Sequence, residues 1–132
     1  MKKFFIAAAL IAIPCAPSLA GTVWEPLSNT AMAITGKIDL SEDKVSFENG
    51  VVMPLEKVAG QAGKRVYRVL SNRSAKLLNG NTLCSAKPAA ATQTFLEIQE
   101  SGDDLSLRVF EAEQQLDSKN MCATYAFIKA GQ

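Results

Sequence analysis

Cys84 and Cys122 are the residues of this 132-residue chain best equipped for chemistry. A thiol pair can do three things: form a structural disulfide, shuttle electrons, or help hold a metal. Their separation is far too long for a C-x-x-C redox pair, and two thiolates without histidine cannot complete a zinc site. The sequence contains no histidine at all, which removes the commonest general base and the commonest metal ligand together. A structural disulfide is the reading that remains. On the chain-entropy account, closing so long a loop contributes roughly 4 kcal/mol. The carboxylates give less. Asp103-Asp104 and Glu111 with Glu113 could pose as acid–base pairs, but such pairs must face one cleft across a substrate, and adjacent aspartates beside Gly102 read as a solvated turn. Ser71, Ser74 and Ser85 have no histidine to activate them. Gly60-Gln61-Ala62-Gly63 lacks the length, lysine and hydroxyl of a phosphate-binding loop. No catalytic residue, cofactor or metal site is expected, and the chain reads as non-enzymatic.

The elements that position these residues begin after a leader. Lys2 and Lys3 precede the uncharged ten-residue run Phe4–Ile13; Pro14 and Pro17 break it, and Ser18-Leu19-Ala20 supplies small residues for a peptidase. This pattern predicts a secretory signal peptide over residues 1–20, with Cys15 removed alongside it. The run is about half the length needed to cross a bilayer. Residues 21–132 are expected to form a single β domain with no transmembrane span, in the periplasm or secreted, where disulfides persist. Without Lys2 and Lys3, the 14 basic residues fall to 12 against 13 acidic ones. That balance argues against nucleic acid as a partner.

Apolar residues in this region recur with period two. Met32, Ile34, Ile38 and Leu40 alternate with Thr35, Lys37 and Asp39, predicting a strand over 30–40 with a bulge or bend at Gly36. Lys44–Phe47, the turn signal Asn49-Gly50 and Val51–Val58 read as a hairpin, with Pro54 placing its strand at an edge or a bulge. Lys64–Leu70 is a further strand, and Asn79-Gly80 signals a second hairpin returning through Thr82–Cys84. Ser85–Thr92 reads as a connecting loop. Thr94–Gln99 and Leu105–Val109 alternate again, and Met121–Ile128, with Cys122, Thr124 and Tyr125, is a strongly β segment. Trp24 is expected to plug one end of the core, and Tyr67 and Tyr125 to pack within it. About eight short strands joined by short connections predict an all-β fold of antiparallel hairpins, either a small barrel or a two-sheet sandwich.

Charge is distributed in blocks. From Lys57 to Leu96 come Lys57, Lys64, Arg65, Arg68, Arg73, Lys76 and Lys87, without an acid. From Glu97 to Asp117 come Glu97, Glu100, Asp103, Asp104, Glu111, Glu113 and Asp117, against Arg108 alone. Two readings stand side by side. The blocks lie together and neutralise each other, or they form separate surfaces. A basic patch of Lys64, Arg65 and Arg68 would favour cell-wall glycan or anionic lipid, and an acidic patch of Asp103, Asp104, Glu111 and Glu113 would steer a basic protein.

Three segments carry a resemblance to a known family. Lys44-Val45-Ser46-Phe47 leads into Asn49-Gly50 and an apolar return strand, Gly60–Tyr67 is a glycine-containing loop ending in a strand tyrosine, and Ser71-Asn72-Arg73-Ser74-Ala75-Lys76-Leu77 runs on to Leu83-Cys84. In these the chain resembles the C-type lysozyme inhibitors of Gram-negative envelopes. The resemblance implies an exported, all-β, disulfide-bonded, non-catalytic protein. Its partner would be host lysozyme, blocked by polar loop residues pushed into the active-site cleft. The positions the resemblance implies as contacts are Tyr67, Ser71 and Lys76; Arg73, in the same segment, is a further candidate for binding the partner. The chain departs from the family in having no serine in Ala59–Gly63 and in the distant placement of Cys122.

Overall fold

A computed structural model describes residues 21–61, 63–84, 93–112 and 120–131. The expected leader over 1–20, the expected loop Ser85–Thr92 with Lys87, Glu113 and Asp117 lie outside the described residues. Eight antiparallel strands follow one another in sequence order and close into a barrel. They are β1 (Thr22–Pro26), β2 (Ile38–Leu40), β3 (Lys44–Phe47), β4 (Val52–Gln61), β5 (Lys64–Val69), β6 (Gln93–Ser101), β7 (Asp104–Ala112) and β8 (Met121–Lys129). Closure comes from β1 pairing with β8 through the rungs Trp24↔Lys129 and Pro26↔Phe127.

The alternation seen in the sequence turns one side chain in two toward the axis. Leu105, Leu107 and Val109 of β7 meet Leu96 and Ile98 of β6 and Tyr125 and Phe127 of β8, all buried. Val45, Met53, Tyr67 and Trp24 complete a single apolar cluster. An eight-stranded barrel is just wide enough for side chains to fill it, and the large residues here do so. Trp24 and both tyrosines lie in the core as expected. A smaller cluster sits on the outer wall, where the cross-strand pair Phe95↔Phe110 packs with Val66.

Successive antiparallel strands place alternate connections at opposite ends. One end carries the tight turns after β2, β4 and β6. The other carries the long connections after β1, β5 and β7, together with the Asn49-Gly50 hairpin turn, whose Gly50 adopts φ 97°. Two local expectations are corrected at this long-loop end. Residues 30–40 are not one strand: Ala31–Thr35 winds into a π-helical turn, closed by Gly36 N–H donating to the Ala31 carbonyl at 2.7 Å. Winding puts Ala31 and Ile34 on the same side, where both are buried in the barrel end. Gly36, at φ 64°, then redirects the chain into β2. The Asn79-Gly80 pair does adopt the left-handed conformations it signals (φ 58° and 73°), but no hairpin flanks it. Leu78–Gly80 forms a 3₁₀ turn instead, because Leu77 and Leu83 on either side bury into the barrel end. Pro54 occupies the last rung of the β3–β4 ladder, opposite Lys44, and a bulge follows between Lys57 and Ala59.

Candidate functional site

The barrel brings the basic block against acids. Strand β5 pairs with β6, and β6 with β7, so cations of the first block lie beside carboxylates of the second. On the outer wall, Lys64 Nζ lies 3.4 Å from Glu97, which also receives Arg108 at 3.5 Å. At the tight-turn end, Arg65 donates to Glu100 at 2.7 Å and stands 3.7 Å from Glu42. Arg68 pairs with Glu56, its partner across the β4–β5 ladder. Of the two readings of the charge blocks, mutual neutralisation describes Lys64 and Arg65, whereas Arg68 is paired by Glu56, which lies outside both blocks.

The described residues of the expected acidic patch, Asp103, Asp104 and Glu111, do not assemble into one surface. Asp103 and Asp104 sit exposed at the tight turn between β6 and β7. Glu111 lies at the far end of β7, about 24 Å along the strand at ~3.4 Å per residue. It faces the long-loop end, where Arg73 Nη1 donates to its carboxylate at 3.1 Å and Thr94 Oγ1 donates to it as well. Both side chains of the ion pair are largely shielded, so Arg73 is committed to the barrel rim rather than to solvent. Tyr67 is also turned inward. Its ring is buried and only its hydroxyl reaches the tight-turn end, 3.4 Å from Glu42. Burial raises its pKa, with Arg65 opposing and Glu42 and Glu100 adding to the rise. Tyr67 and the loop residues Ser71, Arg73 and Lys76 therefore belong to different parts of the barrel.

Ser71 and Lys76 remain exposed, and the segment that carries them is unusually well held. The connection from Leu70 to Cys84 folds back over the long-loop end. Three asparagine amides anchor its backbone or are anchored by it. Asn49 Nδ2 donates to the Lys76 carbonyl, Asn72 Nδ2 to the Val52 carbonyl, and Asn79 Nδ2 to the Ala33 carbonyl, each at 2.9 Å. Asn72 adopts φ 64°, a conformation in which asparagine is one of the few tolerated side chains. Beneath the loop, Leu77 and Leu83 are buried. At its end the Cys84–Cys122 disulfide ties it to β8, and the buried Tyr125 hydroxyl donates to the Leu83 carbonyl. The side chains left in solvent are Leu70, Ser71, Asn72, Ser74, Lys76 and Asn79. Lys76 makes no salt bridge with a described acid.

The anchoring asparagines are what the sequence reading missed. Asn49 and Asn79 were visible as halves of Asn-Gly turn signals, and Asn72 as part of a polar turn. Nothing local says that their amides reach carbonyls 20 to 46 residues away. Among the described residues, no group of three or more histidine, cysteine or carboxylate side chains could hold a metal, and no helix is long and apolar enough to cross a membrane. No protein-family model, curated protein or solved structure matches the chain.

Proposed function

We propose that this chain is an exported, non-enzymatic binding protein of the bacterial envelope that docks a macromolecular partner through the β5–β6 connection, and that the partner is lysozyme, blocked at its active-site cleft. The observation that carries this reading is the loop Leu70–Cys84: its backbone is anchored by three asparagine amides and a disulfide, while Ser71, Ser74 and Lys76 stand in solvent. A surface loop gains nothing in fold stability from exposing a rigid polar tip. It does gain in binding, because immobilised side chains and backbone have less entropy to lose on association. Retaining glycosidases such as lysozyme carry two carboxyl groups flanking the scissile bond, and a lysine on a held loop, with no acid partner among the described residues, complements such a cleft. The resemblance of 44–84 to the C-type lysozyme inhibitors supports the same partner.

A second reading, an envelope assembly protein holding glycan or anionic lipid through Lys64, Arg65 and Arg68, draws no comparable support. Each of those cations already faces a carboxylate, so the local field they offer a polyanion is small.

The test is an enzyme titration. The full chain, expressed for export and purified, is expected to slow lysis of a cell-wall suspension by lysozyme at near-stoichiometric ratio. Lys76→Glu is expected to weaken inhibition about tenfold, the equivalent of ~1.4 kcal/mol. Lysis that proceeds unaffected by a large excess of the folded protein removes the inhibitor reading.

A further inference from the structure

The start of β1 is packed more closely than a strand end requires. A Cβ placed on Gly21 would lie 2.1 Å from Asp39 Oδ1 and 2.6 Å from the Leu40 carbonyl oxygen. The Leu40 oxygen is main chain in the rung Thr22↔Leu40 and cannot swing aside as a side chain could. Glycine is the residue that fits. Asp39 is exposed on β2 and makes no salt bridge with a described cation. Its Oδ1 instead lies against the side of Gly21 where a Cβ would stand. The nitrogen and Cβ positions on one Cα are about 2.5 Å apart. Triangle geometry therefore places the Gly21 nitrogen within about 4.6 Å of Asp39 Oδ1.

We propose that Gly21 is the first residue of the processed protein and that its α-ammonium pairs with Asp39. The proposal rests on the reading of residues 1–20 as a removable leader, and it adds what removal does to the fold. Before cleavage the Gly21 nitrogen is a neutral amide. Hydrolysis of the Ala20–Gly21 bond adds one water, leaves a carboxylate on Ala20 and turns that nitrogen into a cation opposite a waiting anion. Strand β1 itself carries Glu25, and Lys129 of β8 lies over the Trp24 ring at 6.0 Å. Strand β1 is held by three rungs on each side and is the strand that closes the barrel. A tie formed by processing at Gly21, the residue before β1, adds to the β1–β2 side of that strand, and only in the exported product.

The experiment uses the full chain exported from a Gram-negative host. Intact mass of the purified product identifies its first residue, and an NMR titration of the Gly21 signals gives the acid dissociation constant of the α-amine. The product is expected to begin at Gly21. Its α-amine is expected to have an acid dissociation constant about fivefold smaller than in Asp39→Asn, the effect of an opposite charge at this range in water. A product that begins elsewhere overturns the leader reading and the proposal with it. A product that begins at Gly21, with the same constant in both proteins, overturns the pairing alone.

Discussion

The Tyr125 hydroxyl donates to the Leu83 carbonyl, across 42 residues of sequence and inside the barrel end. Together with the adjacent Cys84–Cys122 disulfide, it makes two ties between strand β8 and the same turn of the β5–β6 connection. One tie is covalent and the other titrates, so they respond to different solution conditions.

Burial pushes the Tyr125 phenol up to about 12. An unfolded tyrosine ionises near 10. The folded state therefore keeps a proton that the unfolded chain loses. The stabilisation is fully present below about pH 10 and falls away as pH rises toward 12, by about 2–3 kcal/mol in all. Denaturant titrations above and below that window should show the loss. Tyr67, also raised chiefly by burial, adds a slope of the same sign. Tyr125→Phe should be less stable at neutral pH by about 1 kcal/mol, with a shallower alkaline decline. Parallel declines in the two proteins would show that the alkaline loss lies elsewhere.

The disulfide spans 38 residues. Replacing Cys84 and Cys122 together by serine should cost about 4 kcal/mol on the chain-entropy account, read from the urea midpoint. Limited proteolysis should then cut first within Leu70–Cys84, since this is the segment the bond pins to β8. Initial cleavage in another connection would contradict the anchoring described here.

Two arginines of the basic block should behave differently. Arg73 and Glu111 are both mostly shielded, with side-chain exposures of 26% and 13%. Arg73→Ala leaves a carboxylate facing Thr94 without its cation and should destabilise by about 1–3 kcal/mol. The Arg68–Glu56 pair is exposed on both sides. Arg68→Ala should change stability by less than about 1 kcal/mol. Equal effects in thermal unfolding would mean that burial does not separate these pairs.

Asn72 combines a left-handed backbone with a bond to the Val52 carbonyl. Asn72→Ala should cost about 1–2 kcal/mol, from backbone strain and the lost bond. Asn72→Gly keeps the backbone geometry and loses only the bond, so it should be the milder change. If the loop is the docking surface, Asn72→Gly should weaken lysozyme inhibition more than its small stability loss would suggest, because it removes an anchor from the loop.

Much of the architecture is legible from residue order. The alternation in 44–47, 64–70, 94–99 and 105–109 marks strands because each places one apolar side chain in two on a common face, and the β-forming residues of 121–128 mark another. Those segments become β3 and β5–β8 with small shifts at their ends. The cysteine pair and the missing histidine point to the disulfide without any coordinates. The same pattern misread 30–40. Ala31 and Ile34 there satisfy burial at helical spacing as well as strand spacing would have, and Gly36 supplies the exit.

Period two reports which side of a strand is buried but not which strand lies next to it. An alternating segment suits a sandwich as well as a barrel, and only the rungs between β1 and β8 decide for closure. The same register decides the fate of the charges. Arg65 meets Glu100 and Arg73 meets Glu111 across separations of 35 and 38 residues, and no local rule relates residues so far apart. Exposed and paired cations look alike in a linear chain; strand neighbours, set by packing the whole core at once, separate Lys76 from Lys64, Arg65 and Arg68.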